Sequence, residues 1–157
     1  MITSAKITMA RHAGAKYAWT LCAGVLLAAS PALAQTAAPA AGGEFSVELN
    51  ALQPTEKGCR LVFVVKNGLG KPLTRAGMEF ALFNATGVVD RLTVLEFKDL
   101  AADKTKVSRF ELANVQCPNI TRVLVNGVTA CEGDGVDANA CKAGLKLSNK
   151  TSIEFGE

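Results

Sequence analysis

The sequence predicts an all-β fold: an antiparallel β-sandwich of about seven strands, carrying two disulfides, in a single domain over residues 44–157. Three observations lead there. From Glu44 onward, short segments of alternating apolar and polar residues follow one another, with Gly, Asn, Asp or Pro between them. Beyond the first 34 residues no window shows the 3.6-residue repeat of an amphipathic helix. Four cysteines, Cys59, Cys117, Cys131 and Cys141, follow that N-terminal segment, an even number.

Residues 1–34 read as a signal peptide. Lys6, Arg11 and Lys16 give a basic start without acidic residues, LCAGVLLAA (Leu21 to Ala29) is the apolar run, and Ala32 and Ala34 form an A-x-A cleavage pattern before Gln35. Met9 is an alternative start. The apolar run is shorter than the roughly 20 residues of a spanning helix, so no transmembrane segment is expected after cleavage. Removing 34 of 157 residues leaves 123 and takes away the only His, Trp and Tyr (His12, Trp19, Tyr17). The remaining 14 basic and 14 acidic residues balance. A neutral chain lacks the electrostatic term that drives nucleic-acid binding, so no nucleic acid is expected as a partner. The expected location is periplasmic or secreted.

The segments follow in order. QTAAPAAGG, residues 35–43, has no apolar pattern and reads as a flexible tether. FSVEL alternates Phe45, Val47 and Leu49 against Ser46 and Glu48, and reads as a short edge strand. CRLVFVVKN puts Cys59, Leu61, Phe63 and Val65 on one face, and its β-branched content marks a central strand. NGLGKP is a turn. MEFALF (Met78 to Phe83) and VVDRLTVLEF (Val88 to Phe97) are strands joined by NATG, which has hairpin chemistry. DLAADKT is a polar loop. KVSRFEL alternates imperfectly through Val107, Phe110 and Leu112, and TRVLVNG is a short strand ending at Asn126-Gly127. A single helical turn fits Asp137–Lys142. LKL and TSIEF share one phase, as one strand or two, and TSIEF is expected at an edge.

Two cysteines bound the stretch CEGDGVDANAC, Cys131 to Cys141. Three disulfide connectivities exist for four cysteines. The expected pairing joins Cys131 to Cys141 across this loop and leaves Cys59 with Cys117. The nine-residue spacing is unlike the C-x-x-C of a redox pair. Glu132, Asp134, Asp137 and Asn139 supply hard oxygen donors and are the calcium candidates. The loop lacks the ligand order of a calcium hand and the bidentate Glu at its end, and Asp, Asn and Gly are common in turns for conformational reasons alone. No metal and no cofactor is therefore expected.

CRLVFVVKNGLGKPL, MEFALFNATGVV, DLAADKT and VSRFEL together resemble the FxLYD-type immunoglobulin-like modules of exported bacterial proteins. Asn84 stands where those modules commonly carry an acidic residue, and DLAADKT lacks their Gly. CRLVFVVKNGLG and CEGDGVDANAC are also similar to segments of small exported Gram-negative proteins. The resemblance implies an immunoglobulin-like sandwich that supports or contacts other proteins and is not catalytic.

The residues point the same way. Without a His, a His-activated Ser or Cys nucleophile is excluded, as are the usual His/Cys zinc and His/Met copper sites. No phosphate-binding Gly loop is present. The expected function is a non-catalytic exported accessory module whose partner is another exported or envelope protein. The alternatives are calcium or small-ligand binding at the acidic loop, and inhibition of a secreted enzyme by a disulfide-pinned loop.

Overall fold

The computed structural model describes residues 43–157. The expected signal peptide, residues 1–34, and all of the expected tether but Gly43 lie outside the described residues. The chain forms β1 (Glu44–Thr55), β2 (Gly58–Gly68), β3 (Leu73–Phe83), β4 (Val89–Leu100) and β5 (Thr105–Ala113). A 3-10 turn, Cys117–Asn119, then leads to β6 (Arg122–Glu132), α1 (Ala140–Ala143), β7 (Leu145–Asn149) and β8 (Glu154–Gly156).

These strands build a β-sandwich of two four-stranded sheets, ordered β5-β2-β1-β7 and β4-β3-β6-β8. The first six strands follow the immunoglobulin-like order, with the first, second and fifth in one sheet and the third, fourth and sixth in the other. Period-two alternation explains the core. Phe45, Val47 and Leu49 of β1 and Cys59, Leu61, Phe63 and Val65 of β2 are all buried, as are Ala76, Met78, Phe80 and Leu82 of β3. Phe63 sits at the centre of an aromatic cluster, with ring centroids 5.4 Å from Phe80, 5.6 Å from Phe97, 6.0 Å from Phe110 and 6.2 Å from Phe155. Burying each such ring contributes about 1.5–3 kcal/mol, and tilted or edge-on pairs add to this.

Both disulfides form, Cys59–Cys117 and Cys131–Cys141. Cys117 enters the 3-10 turn before β6, and Cys131 is the penultimate residue of β6, so the two bonds bracket that strand. In the chain-entropy account the 58-residue and 10-residue separations correspond to about 4 and about 3 kcal/mol.

The structure adds to the sequence expectation in some places and departs from it in others. There are eight strands, and two pairings are parallel, β1 with β7 and β6 with β8. Parallel neighbours cannot be joined by a tight hairpin, and β6 reaches β8 by way of the cysteine-bounded loop, α1 and β7 of the other sheet. β1 is consequently not an edge: β7 covers it from Phe45 to Leu49. Only past the bulge at Asn50 is that side of β1 free, and Pro54, which cannot donate to a ladder, lies there. LKL and TSIEF fall in different sheets, because the chain crosses over at Asn149–Ile153. There Asn149 Oδ1 accepts from the Thr151 amide (2.9 Å) and its Nδ2 donates to the Ile153 carbonyl (2.6 Å).

β6 also does not stop at Asn126-Gly127. It continues to Glu132 through two bulges opposite β3, because the freedom that suits Asn-Gly to a turn suits it equally to a bulge. In β5 the inward residues are Ser108, Phe110 and Leu112, opposite Phe63, Leu61 and Cys59. Val107 points outward and is 49% exposed.

Asn67 is the penultimate residue of β2 and the one buried polar residue of the described core. Its Nδ2 donates to the carbonyls of Lys71 (2.8 Å) and Leu100 (2.9 Å), and its Oδ1 accepts from the Leu69 amide (3.1 Å). One side chain thereby holds the NGLGKP turn against the end of β4. A buried carbonyl without such a partner would be costly.

Candidate interaction surface

The cysteine-bounded loop does not gather its carboxylates. Glu132 is drawn to Arg75 of β3, which bridges it to Glu96 of β4, with Arg75 Nη1 2.7 Å from Glu96 Oε1. These hydrogen bonds hold both glutamates below their ordinary range and raise the Arg75 guanidinium. Asp137 Oδ1 accepts from the Asn139 amide at 2.7 Å, a local turn that starts α1. The Gly135 carbonyl, an oxygen a cation would need, accepts from Lys71 Nζ at 2.6 Å. Among the described residues no three His, Cys, Asp or Glu side chains come together as a metal site. Asp134 has no partner role in this arrangement, and the four calcium candidates do not converge.

The loop is mostly exposed and meets the body of the domain at Gly133 and Val136. A Cβ at Gly133 would lie 2.3 Å from the Pro72 carbonyl, and Val136 packs on the core. Beside it runs an open groove of about 490 Å³, lined among others by Leu69, Lys71, Val136, Ala140, Gly144 and Lys146. Glu44 and Asp137 also line it, so its wall carries both signs of charge.

A second surface lies on the outer face of β4. In-facing Leu95 and Phe97 are buried, but the alternate residues Leu92 and Val94 stand 58% and 49% exposed, and Val88 and Val89 at the head of the strand are also exposed. Of the five large apolar side chains most exposed in the described chain, four belong to this one stretch. Register extends the row across the sheet: Leu92 is opposite Ala81 of β3, and Ala81 is opposite Leu124 of β6. Phe83 lies beside it with the Arg122 guanidinium 5.2 Å above its ring. The Arg75–Glu96–Glu132 group bounds one end of this apolar band, and Arg122 with Glu154 (3.7 Å) bounds the other. Val94 is opposite Glu79 of β3, which accepts from Asn126 of β6, and Ala81 is itself buried, so the exposed apolar surface is the β4 row with half-buried Leu124, beside this polar pair. An exposed apolar row with polar and charged neighbours is the anatomy of a protein contact site.

This band was not singled out from the sequence. Its signal was nevertheless present. VVDRLTVLEF is apolar at both parities, and once Leu95 and Phe97 are assigned to the core, Leu92 and Val94 are left without a buried face. Comparison with protein-family models, with characterised proteins and with solved structures returns no match. Among the described residues no helix is long and apolar enough to cross a membrane. The two disulfides fit an oxidising compartment.

Proposed function

We propose that this chain is an exported, non-catalytic binding module of the periplasm or cell exterior. In this reading it contacts another exported or envelope protein through the outer face of the β4-β3-β6 sheet. The exposed apolar row of Leu92 and Val94, with half-buried Leu124, carries the reading. The leader pattern ending at Ala34 and the two disulfides support export, and the resemblance to FxLYD-type modules implies the same kind of role. The calcium and inhibitor alternatives lose support. Arg75 and Lys71 occupy the groups a cation would use, and Gly133 and Val136 hold the loop to the body of the domain.

The test is site-specific photo-crosslinking in the exporting cell, with the photoreactive residue at Leu92 or Leu124 and, as control, at Glu48 on the outer face of the other sheet. Adducts from the first two positions that vanish with Leu92→Arg are expected. Adducts only from Glu48, or none, would overturn the reading.

A further inference from the structure

We infer that the cavity between the β3–β4 turn and the β5–β6 connection is a binding site for a neutral saccharide. This site goes beyond the protein contact proposed above and stands or falls separately from it. The cavity holds about 350 Å³. That is the small end of the range for ligand pockets and suits a single sugar unit or the end of a short chain. Asn84 and Asp90 line it from the turn and the head of β4, and Asn114, Gln116 and Asn119 line it from the connection. Its apolar lining is Leu82, Val115 and Ile120, all buried.

Local structure accounts for only part of this polar lining. Asn84 makes the turn: its Oδ1 accepts from the amides of Thr86 (3.0 Å) and Val88 (3.1 Å), which leaves its Nδ2 over. Asn114 has a φ of 63°, a conformation that Asn tolerates better than most residues. Gln116 and Asn119 have no such duty. Gln116 precedes the Cys117–Asn119 turn without capping it through its side chain. Asp90, Asn114, Gln116 and Asn119 are exposed, and among the described residues no hydrogen bond or ion pair engages their side chains.

The donor set selects the class of ligand. A carboxamide offers two N–H donors and an acceptor oxygen, so several of them beside one carboxylate present donors and acceptors together. Neighbouring sugar hydroxyls, each both donor and acceptor, match that alternation. The C–H face of the ring then meets the apolar lining. Phe83 adds an aromatic wall, one face of which Arg122 covers at 5.2 Å. No Lys, Arg or His lines the cavity, so an anion finds no counter-charge there. A single carboxylate is too few for a hard divalent cation, and among the described residues no group of three His, Cys, Asp or Glu side chains forms.

The two walls are fixed to each other. The Thr121 amide donates to the Phe83 carbonyl (3.0 Å) and its hydroxyl to the Asn84 carbonyl (2.8 Å), which ties the connection to the turn. The Asn119 amide donates to the Gln116 carbonyl (3.0 Å), and Cys117 between them is bonded to Cys59 of β2. Arg91 Nη1 donates to the Ala113 carbonyl at 3.1 Å and joins β4 to the end of β5 beside Asn114. A site whose walls are already tied together loses little freedom when a ligand enters.

Proton–nitrogen correlation NMR of the purified protein tests this. The probes are glucose, galactose, N-acetylglucosamine, maltose and chitobiose, each titrated to about 50 mM, a range that reads weak binding through few contacts. Saturable shifts of the carboxamide signals of Asn114, Gln116 and Asn119 are expected with at least one of these sugars. Gln116→Ala and Asn119→Ala should each weaken binding by about threefold to tenfold, the worth of one hydrogen bond, and together abolish it. Melting should stay unchanged, because neither side chain holds the fold. Leu92→Arg should leave sugar binding intact, which separates this site from the protein-contact face.

The absence of a saturable shift with every one of these sugars would overturn the inference, as would shifts that survive the double variant. Shifts of the same signals with calcium chloride, sodium phosphate or trialanine, and with none of the sugars, would overturn it in favour of a cation, an anion or a peptide. Sugar binding lost with Leu92→Arg would place the sugar on the apolar row and equally overturn it.

Discussion

Replacing Asn67 is the sharpest test of how the fold is closed. The side chain is fully buried and makes three short hydrogen bonds, two as donor to the Lys71 and Leu100 carbonyls and one as acceptor from the Leu69 amide, with a longer 3.5 Å contact from Nδ2 to the Ala101 carbonyl. Asn67→Leu keeps the volume and removes all three. Leaving a buried acceptor without a donor costs about 1–3 kcal/mol. The Leu100 carbonyl is wholly enclosed, while those of Lys71 and the Leu69 amide reach the margin, so a total of about 3 kcal/mol is expected. For a domain of this size that is a fall in melting temperature of roughly 10–15 °C.

Asn67→Asp separates hydrogen bonding from shape. A carboxylate offers no donor to either carbonyl and carries a charge into the core, so its pKa in the folded state should rise. The penalty is then largest above that raised pKa and shrinks as pH falls through it and a proton becomes available to donate. Melting of both variants and the parent at pH 7 and pH 4.5 is the assay. A gap between Asn67→Asp and the parent that narrows on acidification supports the argument. Asn67→Leu melting within about 2 °C of the parent would refute it.

Three other outcomes are expected. Cys59→Ala with Cys117→Ala should cost about 4 kcal/mol, against about 3 for the Cys131 and Cys141 pair, read from chemical denaturation midpoints at constant slope. Melts in chelator and in millimolar calcium should coincide within about 1 °C, since a bound ion at a hundredfold excess over its dissociation constant would add about 2.7 kcal/mol. Hydrogen bonds from Arg75 hold Glu96 and Glu132 below their ordinary range. Their contribution is thus fully present above the unfolded carboxylate value of about 4.3 and is lost as pH falls through the lower folded values. Arg75→Gln should flatten that acid limb of the melting profile.

The parts legible in the sequence were those where one local rule acts alone. CRLVFVVKN alternates cleanly because β2 is central and meets the core on one face, and all four residues assigned to that face are buried. The helical turn near Asp137–Lys142 appears as α1. What was not legible depended on partners far along the chain. FSVEL looks like an edge by length and by Glu48, yet β7 pairs with it across roughly a hundred residues, and parallel pairing leaves no mark in either strand. Asn126-Gly127 carries turn chemistry, but its neighbour β3 continues past it, and the ladder absorbs the extra residues as bulges. Two local turns repeat one chemistry: Asn84 and Asn149 each accept from the amide two residues on, Thr86 (3.0 Å) and Thr151 (2.9 Å). Leu92 and Val94 escaped notice because an outward apolar row differs from an inward one only in what covers it.

The placement of the covalent ties bears on where binding belongs. Cys59–Cys117 joins the start of β2 to the approach to β6, and Cys131–Cys141 joins the end of β6 to α1. Neither has a cysteine in the β3–β4 hairpin, although Cys131 stands opposite Ala76 of β3. That hairpin is held instead by Asn67 at one end and by its inward side chains, with Phe97 packed 5.6 Å from Phe63 and 5.3 Å from Phe110. The opposite parity of the same strand carries Leu92 and Val94. A contact surface needs side chains kept in place by packing beneath them, and in a strand the residues on the two faces are separated by a single peptide unit. Each core residue of β4 therefore fixes the position of an exposed neighbour. β4, which carries no cysteine, is therefore held by its ladder with β3, by the Arg75–Glu96 ion pair, by Asn67 on the Leu100 carbonyl and by the packing of Leu95 and Phe97.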